Sequence, residues 1–279
     1  MGNSNHIQRF GDSWTEVKLK ALDNYLEAYC KIMKNQNFKT YYIDAFAGSG
    51  EILLKQGREI KGSAAIATKY DFDYYIFVEE NEAFINMLEK NLMASPKYSR
   101  MLFVNKDCND FLERLDQINW IGEQKRGVIF LDPYAMQLSW STLEKIAKTK
   151  ALDVWYLFPL MASNRTLFKD KVKIKESTKK QLTRLFGTTE WEEEIYRAPE
   201  QISLFDGPDN KEKVTTEELK KFILKRLNTI FPAVSNNAVV LKNSRNAPMF
   251  LLCFAVGNPS NKAKAVAMRV ADYLLKHME

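Results

Sequence analysis

At 279 residues, with 46% hydrophobic and 27% charged side chains, the chain has the make-up of an ordinary soluble protein of one large or two small domains. A net charge of +6 and a pI near 9.0 admit a polyanionic partner without requiring one. Three widely spaced cysteines (Cys30, Cys108, Cys253) and two histidines near the chain ends (His6, His277) speak against a disulfide framework, a thiolate or histidine metal centre, a Ser-His-Asp triad and a Cys-His pair.

The cysteine usage fits a reducing compartment, so a cytoplasmic protein is expected. The start "MGNSNHIQRF" lacks the apolar core of a signal peptide, while Met1-Gly2 with Ser4 leaves a myristoylation reading open. The longest apolar runs, "VWYLFPLMA" and "APMFLLCFAV", are about half the length of a membrane helix, so no membrane partner is expected.

The first predicted element is an amphipathic helix over residues 13–34, headed by Ser13-x-x-Glu16 and carrying Leu22, Tyr25, Leu26, Tyr29, Ile32 and Met33 at helical spacing. Strand patterns follow at 41–46 (YYIDAF), 74–80 (YYIFVEE), 100–107 (RMLFVNKD), 127–133 (GVIFLDP) and 153–160 (DVWYLFPL). Several are continuous apolar runs, as central strands covered on both faces require. Helical patterns lie between them: "GSAAIATKY", "NEAFINMLEKNL", "DCNDFLERL" and "SWSTLEKIAK", the last with a Ser141-x-x-Glu144 box. Such alternation predicts a parallel, doubly wound α/β sheet with right-handed crossovers.

Over 164–231 no strand pattern appears. Helices are expected around "STKKQLTRLFG", "TEWEEEIYR" and "TTEELKKFILKRLNTI", the last headed by Thr215-x-x-Glu218, with "LFDGPDNKEK" as a polar loop. Two strands, "NAVVLKN" and "PMFLLCFAVGN", then return, followed by a helix with Ala263, Val266, Ala267, Val270 and Leu274 on one face. The expected organisation is a mostly parallel seven-stranded domain of residues 1–163 and 233–279, interrupted before its last two strands by a helical insertion, 164–232.

Ligands of open α/β sheets sit at the carboxyl ends of the strands, so the residues there carry the functional argument. The first strand ends in Asp44 and then Ala47-Gly48-Ser49-Gly50, the second in Glu79-Glu80, the third in Asp107-Cys108-Asn109, the fourth in Asp132-Pro133-Tyr134. Each has a plain structural alternative: a turn, or an N-cap for the next helix. A dinucleotide fingerprint needs a third glycine where Leu53 stands and a helix straight after the turn; here "EILLKQGREIK" intervenes before a helix start at Gly62-Ser63. Without a pyrophosphate site, the groups suit S-adenosylmethionine, with ribose, adenine, ammonium and carboxylate, better than NAD.

These segments resemble class I S-adenosylmethionine-dependent methyltransferases, and within them the three-Cys-motif partner proteins of bacteria and phages. "KLKALDNYLEAYCKIMK", "YYIDAFAGSGE", "KGSAAIA", "IFVEEN", "VIFLDPYA", "FPLMASNR", "RLFGTTEW" and "PMFLLCFAVGNPSNKA" carry the resemblance over most of the chain, with "IDAFAGSG" and "FLDPYA" the most specific. It implies a Rossmann-like methyltransferase sheet that binds S-adenosylmethionine. The cofactor's methionine moiety would lie near Asp44, Ala47, Gly48, Ser49 and Gly50, its ribose on Glu79, and its adenine near Asp107 and Cys108. It also implies a three-Cys-motif protein as partner.

Asp132-Pro133-Tyr134 resembles the Asp-Pro-Pro-Tyr motif of enzymes that methylate amino groups of nucleic-acid bases, where the acid and a proline carbonyl accept from the amine and the ring stacks on the base. This chain has one proline: with Asp132 at the acid position, Ala135 falls where the aromatic belongs, and with Tyr134 at the aromatic position, Leu131 falls at the acid. The run "KDKVKIKESTKKQLTR" has seven basic residues against two acidic, beside Phe168, Phe186 and Trp191 as candidate stacking rings. It reads either as a phosphate-contacting face for DNA or RNA, with Lys171, Lys173 and Lys175, or as a solvated face balanced by "EWEEE". Asn164 and Arg165 are candidate pocket residues, while Trp155 and Tyr156 are expected in the core. The expected function is methyl transfer to a nucleic-acid base; the alternatives are a small-molecule, peptide or protein methyltransferase, or a non-catalytic binding module.

Overall fold

The computed structural model describes residues 8–11, 13–54, 57–167, 174–195 and 215–278. Strand β1 (Gln8–Gly11) leads into the long helix α1 (Ser13–Met33) and then β2 (Lys39–Asp44). A hairpin of β3 (Glu51–Leu54) and β4 (Glu59–Lys61) separates β2 from α2 (Ser63–Ala67). Strand and helix then alternate through β5 (Tyr74–Glu79), α3 (Glu82–Leu92), β6 (Met101–Asn105), α4 (Cys108–Leu112), β7 (Lys125–Leu131), α5 (Trp140–Lys148) and β8 (Leu152–Phe158). Helices α6 (Leu160–Thr166), α7 (Glu176–Phe186), α8 (Trp191–Glu194) and α9 (Thr216–Asn228) come next, followed by β9 (Ala233–Val234), β10 (Val239–Lys242), β11 (Pro248–Val256) and α10 (Asn261–Lys276).

The main sheet has the order β6–β5–β2–β7–β8–β11–β10, with β9 added on β11. β6, β5, β2, β7 and β8 are parallel; β11 runs antiparallel to β8, and β10 to β11. The order reverses at β2 and β7, which pair from Lys39 on Lys125 to Asp44 on Phe130. Connections leave these two strands in opposite directions, so a crevice opens at their carboxyl ends. This is a Rossmann-like methyltransferase sheet, and its seven main strands are those read from the sequence. A small sheet, β1–β3–β4, was not anticipated: "EILLKQGREIK" pairs with itself as β3–β4 and alongside β1.

β8 is buried at every position and β7 over its last five, which explains their unbroken apolar sequences. Alternation along the strands sorts the core in two. Ile43, Ile129, Val154 and Tyr156 share one cluster with α4, α5, α7 and α9; Tyr42, Val128, Trp155 and Leu157 share the other with α1, α2, α3 and α10. Trp155 and Tyr156 are core, as expected. Among the described residues, no helix is long and apolar enough to cross a membrane.

Two helix starts show how local chemistry sets the frame. Thr215 and Glu218 form the expected reciprocal capping box of α9. At α5 the cap is Ser139, two residues before the expected Ser141, because the Ser139 side chain accepts from Thr142 N while its own N–H donates to Asn109 Oδ1. The helices after β8 contain a second correction. Phe186 and Trp191, expected as exposed stacking rings, are fully buried: Phe186 stacks on Phe158 at 6.1 Å and meets Phe222 edge-on at 5.1 Å. The hydrophobic gain of burying two large rings against the sheet outweighs a surface role. Phe168 and the loop "LFDGPDNKEK" lie outside the described residues.

Gly187 ends α7 with φ +68°, and a Cβ there would stand 2.0 Å from the Trp140 ring. Gly57 has a similar φ of +81° with nothing within 4 Å. Gly187→Ala is therefore expected to lose on the order of 3 kcal/mol, strain plus overpacking, and Gly57→Ala only about 1 kcal/mol. Urea unfolding of the two variants side by side checks the difference.

Candidate active site

The turn after β2 is fixed by main-chain geometry. Ala47 N–H donates to Val78 O (2.9 Å), Gly48 and Gly50 take φ of +59° and +82°, and Gly62 N–H donates to Gly50 O (2.8 Å). A Cβ on Gly50 would sit 2.6 Å from Leu88 Cδ1, so both conformation and space demand glycine. Ala47, Gly48, Ser49 and Gly50 are all buried. The helix after the turn is delayed until Ser63, as the sequence indicates, and its N-cap Gly62 returns against the turn at Gly50.

Asp44, at the end of β2, is fully buried. Its Oδ2 accepts from the Tyr42 hydroxyl (3.2 Å) and its Oδ1 from Phe46 N–H (3.4 Å), and the Ser63 side chain adds a further bond. Burial pushes its carboxyl up to about 7, and Asp132 nearby adds to the rise, against the pull of the bonds from Ser63, Phe46 and Tyr42.

One neighbour escaped the sequence reading. Lys18 on α1 has a side chain only 5% exposed, and its Nζ binds Asp132 Oδ2 at the end of β7 while lying 4.7 Å from the Trp14 ring. Lys18 is in phase with the buried Leu22, Tyr25 and Tyr29, and a lysine in an apolar helical stripe is the signal that could have found it. The pair uses Asp132 Oδ2 and leaves Oδ1 for another donor.

A cavity of about 260 Å³ opens at the strand ends, lined by Glu79, Asp107, Cys108, Asp132 and Tyr134 together with apolar Phe46 and Phe84. Five of the sequence-predicted residues thus meet around one space. Asp44, the glycine turn and Pro133 are buried, and none of these lines the cavity.

Glu79 ties the turn to β5: Oε2 accepts from Gly48 N–H (3.0 Å) and Oε1 from Asn81 N–H (2.9 Å), and burial raises its pKa. Asp107 caps α4 through Oδ1, which accepts from Asn109 N–H (2.8 Å) and Asp110 N–H (3.2 Å). Oδ2 remains available to a ligand. Cys108 is 3% exposed and burial pushes its thiol well up, so it is a neutral wall and no nucleophile. Asn109 is consumed by structure, donating to Gln137 O and accepting from Ser139 N–H and Thr142 Oγ1. Tyr134 is 72% exposed, and Ala135 takes φ +51° in the same loop.

The expected substrate residues lie elsewhere. Asn164 and Arg165 sit on α6, half-buried and exposed, and Lys175 is exposed at the start of α7; none of the three lines the cavity. Lys171 and Lys173 fall outside the described residues. α7 reaches the site through Arg184, whose Nη2 donates to Gln137 O (2.9 Å) on the cavity rim. Part of its charge is balanced, with Lys179 3.6 Å from Glu192.

No family profile and no curated protein matches this chain. Among solved structures it is similar to protein LPL1258 from Legionella pneumophila, at 11% identity over 93% of this chain and 92% of that one (TM-score 0.47). It is similar to the putative methyltransferase yhhF from Escherichia coli at 19% identity, over 49% and 68% of the two chains (TM-score 0.32). Spermidine synthase from Thermotoga maritima is similar at 12% identity over 89% and 62% (TM-score 0.43). Likenesses this distant concern the fold, and they decide nothing about activity.

Proposed function

We propose that the chain is an S-adenosylmethionine-dependent methyltransferase of the three-Cys-motif partner family, acting on an amino group of a nucleic-acid base. The observation that carries this reading is the convergence of Glu79, Asp107 and Asp132 on one cavity at the point where the strand order reverses. The donor set fits the nucleoside end of that cofactor. Glu79 has lone pairs left for ribose hydroxyls, Asp107 Oδ2 can accept from an adenine amine, and Phe46 and Phe84 supply apolar walls. When bound, S-adenosylmethionine supplies an electrophilic methyl group.

The chain's own residues then have to position an amine. Asp132 Oδ1 accepts from it, and the exposed Tyr134 ring offers a surface for a flat base. Asp44, beside cavity-lining Ala45, is the carboxylate for the cofactor's ammonium. The buried Lys18–Asp132 pair favours a second reading, in which Asp132 anchors α1 and the sheet ends form a binding module without turnover.

Asp107→Asn keeps a side chain able to cap α4 but turns an N–H toward the adenine amine. Stability should change by less than about 0.5 kcal/mol while affinity for S-adenosylmethionine falls roughly ten- to a hundredfold, as read by calorimetry. Asp132→Asn should leave that affinity within about twofold and cut labelled-methyl transfer to DNA or RNA by about a hundredfold; label retained only in a protein pool would reject the nucleic-acid substrate, and cofactor binding with no transfer by the parent chain would select the second reading. Because Asp44 keeps its proton up to about 7 and only the carboxylate attracts an ammonium, cofactor affinity should rise with pH and level off above about 7, with proton release on binding at about pH 6. Binding enthalpies in buffers of different ionisation heat measure that release; no pH dependence would confine Asp44 to shaping the turn. The same shift predicts that the ligand-free fold loses stability between pH of about 4 and about 7, since the unfolded chain sheds this proton first.

A further inference from the structure

A second and larger cavity, about 350 Å³, lies at the opposite edge of the sheet, where β7 and β8 begin. Its walls are apolar: Ile32 and Met33 from α1, and Val266, Ala267 and Val270 from α10. Three charged side chains break that surface: Lys262 at the start of α10, Asp153 and Arg126. Asp153, the second residue of β8, is 9% exposed; its Oδ2 accepts from the Tyr25 hydroxyl at 2.7 Å, and Oδ1 carries no hydrogen bond from the described residues. Arg126, the second residue of β7, is half-buried with its guanidinium 4.6 Å from the Phe38 ring; Nη1 donates to Lys125 O at 2.7 Å, and Nε is buried without a partner among the described residues.

Asp153 and Arg126 share the cavity yet form no ion pair with each other. Burial pushes the Asp153 carboxyl up to about 7 against the pull of the Tyr25 hydrogen bond and the Arg126 charge, and desolvation lowers the Arg126 pKa against the pull of Tyr29 and Asp153. Arg126 Nε is a buried donor without a partner among the described residues, and Asp153 has a second oxygen to accept with, so a ligand that offers an anion to one and a cation to the other gains at both. A small zwitterion does so. Its cation meets Asp153 between the Tyr25 and Tyr29 rings, its anion meets Arg126, and its apolar part fills the space between α1 and α10. A simple amine would leave Arg126 unsatisfied and a simple acid would leave Asp153 so.

We infer that this cavity binds a free apolar α-amino acid, with its ammonium on Asp153 and its carboxylate on Arg126. The site is separate from the strand-end cavity and does not depend on the activity assigned there.

The test is calorimetry and NMR titration of the full chain with L-phenylalanine, L-leucine and L-methionine, beside phenethylamine and 3-phenylpropionate. At least one amino acid should bind with a Kd below about 1 mM, roughly tenfold tighter than either one-charge analogue. Asp153→Asn and Arg126→Gln should each weaken that binding about tenfold or more. Val266→Trp, which fills the cavity, should abolish it while leaving the melting temperature and binding at the strand-end cavity unchanged; Ala267→Phe serves if Val266→Trp does not fold. The inference is overturned if none of the three amino acids binds up to about 10 mM, if binding survives in a folded cavity-filled variant, or if an analogue binds as well as the amino acid. Equal binding by phenethylamine would mark the cavity as an amine site.

Discussion

Helix α1 is held on the sheet by two polar contacts inside an otherwise apolar interface: Lys18 on Asp132, and Tyr25 on Asp153. Leu22, Leu26 and the Tyr25 ring provide the bulk of the burial, but apolar packing alone tolerates small slides and rotations. The two acids do not. Leaving one member of such a contact without its partner costs about 1–3 kcal/mol, so the helix has one register in which both anchors are met. That register sets which atoms of Asp132 stay open at one edge of the sheet and which wall of α1 faces the other edge.

The strand-end site is organised by carboxylates that do structural work with one oxygen and leave the other to a ligand. Asp107 caps α4 through Oδ1 alone, and Asp132 spends Oδ2 on Lys18. Glu79 bridges the ends of β2 and β5 through Gly48 and Asn81. Asn109 then pins the loop after β7 to α4, and Arg184 pins the same loop to α7. The cavity is therefore assembled from five separate elements before any ligand arrives, so little ordering cost is left for binding.

Much of this was legible in the sequence, for identifiable reasons. Long apolar runs bounded by helical patterns gave all seven main strands, since central parallel strands cannot hide their composition. The strand-end acids were legible because the topology tells where to look. What escaped depended on tertiary partners. β3 and β4 are short and largely exposed, so their burial pattern has no clear period. Ser139 and Ser141 both satisfy the local rule for a cap, and the choice rests on Asn109, thirty positions away in the chain. Phe186 and Trp191 look like surface aromatics beside lysines until α9 is laid against them. Lys18 and Asp153 are single charges in apolar stripes, whose meaning appears only when their partners do.

The small sheet changes how the glycine turn can move. β3 begins at Glu51, directly after Gly50, and pairs with β1, which stands just ahead of α1; Arg58 beside β4 also binds Glu16 on that helix. Turn, hairpin and helix are thereby linked in series like the bars of one lever. Any swing of the glycine turn large enough to bring a guest to Asp44 must either break main-chain bonds to β1 or pull on α1, and so be felt at Lys18.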